Sequence, residues 1–139
     1  MKRSEIYYHI RRLPTTVIVV ASDPSTMEVC LVPHLIHHSP TGMEFGYNGS
    51  GPADLALSLL TFHLEAHAPD VKELVAGWKN AGSVGQVTIR VVRLYQLFKD
   101  EVLAVTSLDF LDLSGKMLDH WITLRERQAA DRATIEEKP

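Results

Sequence analysis

The segment Phe45-Gly46-Tyr47-Asn48-Gly49-Ser50-Gly51-Pro52-Ala53-Asp54-Leu55-Ala56-Leu57-Ser58-Leu59-Leu60 limits the fold more than any other, because a glycine-rich loop runs directly into the most apolar stretch of the chain. Three glycines in six residues resist regular structure, and Pro52 presets φ for a first helical turn, where its missing N–H is no loss. The pattern predicts a helix starting at Pro52 with Gly51 as its N-cap. Asp54 then falls at the third helical position, where a carboxylate suits free backbone amides and the positive end of the helix dipole.

At the helical period Asp54, Ser58, Thr61 and Glu65 make a narrow polar stripe. Leu55, Leu59, Phe62 and Ala66 line one adjoining face, and Ala56, Leu57, Leu60 and Leu64 the other. A helix apolar over most of its circumference belongs at the centre of a fold, between a sheet and later helices.

Upstream, Ile6, Tyr8 and Ile10 alternate with Tyr7, His9 and Arg11, the period of a strand with one buried face. The β-branched run Thr15 to Ala21 predicts a second strand. Turn residues Ser22-Asp23-Pro24-Ser25 then lead into a third, with Met27, Val29 and Leu31 alternating with Glu28 and Cys30. Residues His34 to Gly51 form an unusually long connection, which points to function or to a short strand around Met43 to Tyr47.

Downstream, Pro69 and Asp70 open a helix with Val71, Leu74, Val75 and Trp78 at helical spacing and Gly82 as its stop. Ser83 and Gln86 have capping-box spacing before a long helix through Val91, Tyr95, Phe98, Val102 and Val105, although Gln86 to Val91 also reads as a strand. Leu108 to Leu113 reads as an edge strand or an irregular packed segment. Ser114 caps a last helix that turns Leu118, Trp121 and Ile122 inward. The expected fold class is α+β: an N-terminal antiparallel sheet of three or more strands on the central helix, with two to three further helices. One domain is expected over 1–124, followed by a charged, flexible tail over 125–139.

Of 139 residues 45% are hydrophobic and 22% charged, an ordinary globular composition. The formal charge of −3 and a pI near 6.1 argue against a general nucleic-acid binder. Cys30, the single cysteine, excludes an intrachain disulfide, and no leader-like or membrane-spanning apolar run is evident. The expected location is the cytoplasm.

The string from Ser39 to Leu57, with its aromatic-Gly-Tyr-x-Gly-Ser-Gly-Pro core, resembles a family of small uncharacterised proteins of bacteria, phages and other mobile elements, filed as a domain of unknown function. Helix residues Leu94 to Val102 and a closing tryptophan, here Trp121, extend the likeness to about residue 124. An added segment near Ala68 to Val84, and Asn48 in place of a more usual glycine, depart from it. The resemblance implies an architecture and a mobile-element setting, and no established activity.

Four chemistries are open to these residues. Amides at Gly49-Ser50-Gly51 could hold an anion, but Asp54 already supplies negative charge there and no P-loop lysine follows. His63 and His67 are one helical turn apart, with His34, His37 and His38 nearby, but the order is not the His-Glu-x-x-His of zinc proteases. Ser50 and Cys30 lack nucleophile motifs, and Cys30 is expected to be a small buried residue. Lys2, Arg3, Arg11 and Arg12, the pair Arg90 and Arg93, and the aromatic rings of Tyr7 and Tyr8 are candidates for a nucleic-acid patch against an acidic total. The expectation is a non-catalytic binding or accessory protein of phage or mobile-element type, acting on a protein partner such as a host defence complex. It needs no cofactor, metal or membrane, and homo-oligomerisation is an option. The loop residues Phe45, Tyr47, Asn48, Gly49, Ser50, Gly51 and Asp54 are the expected contact set. The alternative is a small enzyme or anionic-ligand protein using that loop with His37, His38 or His63.

Overall fold

The computed structural model describes residues 1–65 and 89–136. A 3-10 turn at Arg3–Glu5 leads into β1 (Tyr7–Arg12), β2 (Val17–Asp23) and β3 (Glu28–Leu31), followed by α1 (Ser50–Glu65). α2 (Ile89–Phe98) passes into a π-helical turn at Lys99–Leu103, and β4 (Phe110–Ser114) precedes α3 (Gly115–Glu136). The four strands form one antiparallel sheet in the order β3-β2-β1-β4. This is the expected α+β fold, with β4 added as an edge strand from the Leu108 to Leu113 segment.

The sheet's two faces differ in the way its alternation dictates. Tyr8, Ile10, Val17, Val19, Ala21 and Leu113 point inward and are buried in one core with Leu55, Leu59, Leu60 and Phe62 of α1. Tyr7, His9, Arg11, Ile18, Val20, Val29, Leu31 and Phe110 lie on the opposite face, exposed or half-buried.

From Gly51 to Leu64 α1 is buried on every side. Asp54, Ser58 and Thr61 of its polar stripe are all buried, and the long connection from Pro33 onward lies against the first two. The helix begins at Ser50, two residues before the expected Pro52. The Ala53 amide already donates to the Gly49 carbonyl at 3.1 Å, which leaves Gly51 inside the first turn and removes it as N-cap. Residues Met43 to Tyr47 form no strand: Met43 to Phe45 are irregular, and a bend begins at Gly46.

Cys30 is exposed, not buried as expected, because β3 is an edge strand exposed on both faces. Ser114 caps α3 as its position suggests, its Oγ accepting the Met117 amide. The helix then runs through the segment expected as a loose tail. Arg125 pairs with Glu101, and Arg90 makes a two-pronged contact with Glu126, tying that part of α3 to α2 and the π-turn. Trp121 packs edge-on against Phe98 and donates to Glu101. Residues Ile89 to Val91 are helical, so only Gln86 to Thr88 of the ambiguous stretch lie outside the described residues. The expected helix from Pro69 to Gly82, the capping box Ser83/Gln86 and His67 lie outside them as well.

Candidate functional site

One carboxylate organises the loop that the sequence singled out. Asp54, fully buried on α1, accepts the backbone amides of His37, His38 and Ser39, with best distances of 3.2, 2.7 and 2.9 Å. His34 Nε2 is 2.9 Å from the same group. Ser58, one turn on, accepts the Leu35 amide at 2.8 Å. Two side chains of one helix therefore satisfy four backbone donors, those of Leu35, His37, His38 and Ser39, in a connection that has no helix or strand of its own. His38 and His37 are held at the surface, where the His38 ring stacks on Tyr95 and shares a 2.8 Å hydrogen bond with its hydroxyl. Partial burial, and then the neighbouring His37, hold His38 below the ordinary histidine range.

The glycines are explained by close approach. Tyr47 folds its ring over Gly49 and its hydroxyl towards Gly51, where a side chain would also strike Glu44. Gly46 has φ +90°, donates its amide to Leu103 O at the end of the π-turn, and would place a Cβ 3.0 Å from Thr106 O. Gly46→Ala is expected to cost about 1–3 kcal/mol of folding stability by forcing a side chain into that left-handed conformation, read as a lowered urea midpoint. Arg12 closes the loop from the sheet side. Its guanidinium lies 4.3 Å from the Phe45 ring centroid, donates to the Phe45 carbonyl, and pairs with Glu44 and Asp109. A polar cleft of about 260 Å³ opens beside it, lined by Thr15, Thr16, Ser39, Thr41 and Glu44 among others.

A second polar cluster is buried at the other end of α1. Tyr8 Oη and His63 Nδ1 are 2.6 Å apart, His63 Nε2 is 2.8 Å from Asp119 on α3, and Arg3 is 3.1 Å from the same carboxylate oxygen. Burial pushes the Tyr8 phenol far above its ordinary value, with the charge of Asp119 adding to the effect. Tyr8 therefore keeps its proton, and the carboxylate accepts from Nε2–H; in that tautomer of a neutral ring, Nδ1 accepts the Tyr8 hydrogen. Gly115 makes this meeting possible. Its amide donates to Ile6 O, and its Cα sits so close to Arg3 O that any side chain would collide with it.

A family model described as "Family of unknown function (DUF6166)" matches residues 8–90. The chain belongs to this family. No curated protein and no solved structure matches it. The DUF6166 span contains β1 from Tyr8 onward, β2, β3, the glycine loop, the Asp54 clamp and His63, whereas Asp119 and Arg3 lie outside it.

In this DUF6166 chain the expected contact residues separate. Tyr47, Asn48 and Ser50 are exposed, with Asn48 donating to Asp100. Phe45 and Asp54 are buried and tied into the loop's own structure. His63 lies 13 residues along α1 from Ser50, roughly 20 Å at helical rise, so it does not join the loop. Both of its ring nitrogens have partners, which leaves neither for an ion. Among the described residues no group of three or more His, Cys, Asp or Glu side chains could hold a metal. The candidate basic patch is dispersed. Arg3, Arg11, Arg12 and Arg90 are each paired with a carboxylate, and Tyr8 points into the core, unavailable for stacking. Among the described residues no helix is long and apolar enough to cross a membrane.

The sequence reading missed the outer face of the sheet. Tyr7 is 48% and Phe110 47% exposed there, with the Arg11 guanidinium over the Phe110 ring. The signal was present as the odd-numbered half of the β1 alternation.

Proposed function

We propose that the protein is a non-catalytic binding protein of phage or mobile-element type, acting in the cytoplasm on a protein partner, with a host defence complex as the partner class. The observation that carries this reading is the outer sheet face. It presents Tyr7, Phe110, Ile18, Val20, Val29 and Leu31 without helical cover among the described residues. Aromatic and aliphatic side chains with an arginine among them are the composition of a protein interface. The interior polar groups support it from the other side: Asp54 is engaged by backbone amides and His34, and Tyr8 and His63 by each other and Asp119, so that among the described residues these groups do not form an open convergent set. The mobile-element setting is supported by the glycine-motif resemblance.

The ligand-binding alternative has one observation in its favour, the hydroxyl-lined cleft beside the glycine loop, in which Arg12 is already paired with Glu44. Affinity capture from native host cells, with intact mass spectrometry of what is retained, separates the two. A stoichiometric protein is expected, with recovery falling at least about tenfold in the Tyr7→Ser/Phe110→Ser variant, because aromatic anchors carry much of an interface's energy. A retained nucleotide or phosphate ester with no protein, lost on Thr16→Val, would replace this reading with the alternative.

A further inference from the structure

Among the described residues β3 is an open edge with unusual chemistry. The Val32 amide donates to Val19 O at 2.9 Å, and the register pairs Cys30 with Ala21 and Glu28 with Asp23. By alternation, residues 28, 30 and 32 turn their backbone groups towards β2, while Val29 and Leu31 turn theirs to the open side. Their side chains are also uncovered, at 66% and 62% exposure. Edge strands are commonly guarded by charges, prolines or bulges. The other edge, β4, follows that rule with Asp112 inside the strand and Asp109 just before it. On β3 the only charge is Glu28, whose carboxylate faces the amino terminus of Met1 at 3.4 Å.

We propose that β3 pairs antiparallel with β3 of a second copy of this chain, joining two four-stranded sheets into one of eight strands. An isologous antiparallel pair must place residues of the same sheet face opposite each other. The register with Cys30 opposite Cys30 meets this condition. It sets Val29 opposite Leu31 twice, so that the outward N–H and C=O groups of both residues find partners and two apolar pairs form on the outer face. Pro33, which lacks an N–H, and Met27, at φ 63°, bound the pairing on either side. Glu28 falls opposite Val32, so no like charges meet. A second copy fits this edge because the strand is its own complement in hydrogen bonding, apolar pattern and charge. The dimer would align the two outer sheet faces, but it stands independently of any partner on them.

The test uses the full chain. Sedimentation should give a mass near twice 15.5 kDa at high concentration, falling towards the single-chain value on dilution. Val29→Lys/Leu31→Lys should be monomeric throughout, with a circular dichroism spectrum like that of the wild type and, at dilutions where the wild type is also monomeric, the same melting midpoint. Directly opposed residues of a non-hydrogen-bonded pair have Cα atoms about 4.5 Å apart, within disulfide reach. Diamide, which takes up the two thiol hydrogens, should therefore link the wild type into a covalent dimer and leave Cys30→Ser unlinked. A chain monomeric at all concentrations, a dimer that survives the lysine pair, or a dimer that diamide does not link would each overturn the proposal. Stoichiometric capture of a foreign extended segment at β3 by a monomeric chain would overturn it in favour of a different occupant.

Discussion

Asp54→Ala is expected to be among the most damaging single substitutions, lowering folding stability by about 3–5 kcal/mol, the range for removing one partner from a buried, charge-assisted network. The carboxylate is fully buried and accepts three consecutive backbone amides while facing His34. Alanine strands all of these donors in a place water reaches poorly. Asp54→Asn should fall between wild type and alanine, because the amide keeps one acceptor oxygen but turns two hydrogens towards donors. Urea unfolding at neutral pH measures both. Local disorder should accompany the loss, seen as faster amide exchange at residues 37–39, since Asp54 is the acceptor for those three amides. A cost below about 1 kcal/mol for alanine would mean that water replaces the carboxylate and that the clamp does not organise the loop.

How much of this was legible in the sequence follows from how local each cause is. Strands β1 to β3 announced themselves through alternation and β-branched residues, and α1 through its apolar circumference, because those signals reside in neighbouring residues. Asp54 was singled out for the right reason, a carboxylate seeking backbone amides near a helix start. Its donors nevertheless come from 15 to 17 residues upstream, not from its own helix. No local pattern encodes which amides arrive. Cys30 was misread because apolar alternation reports that a strand can be buried, and only the strand order reveals that β3 lies at an edge. The glycine loop left a ligand cradle open as an alternative to a structural turn for the same reason. Small residues signal close approach, but whether to a phosphate or to Tyr47 and Thr106 depends on the tertiary partners.

His63 tests the same point at the far end of α1. Sequence alone offered it as half of a histidine pair, whereas the structure places it between Tyr8 and Asp119, residues 55 and 56 positions away in opposite directions. His63→Ala should cost about 3–5 kcal/mol, combining a cavity in the core with a Tyr8 hydroxyl left unpaired. Tyr8→Phe should cost less, about 1–3 kcal/mol, because only the imidazole Nδ1 is orphaned and the ring volume stays. The decisive variant is the double Tyr8→Phe/His63→Leu, in which both buried partners become apolar. Asp119 is not stranded by it, since that carboxylate is partly exposed and keeps Arg3. With Tyr8→Phe and His63→Leu as the single variants of the cycle, the double variant is more stable than the sum of their losses predicts, by about 1 kcal/mol or more, if the hydrogen bond is the term that matters. Additive losses would mean instead that these side chains serve by volume alone, as two more members of the core around Phe62.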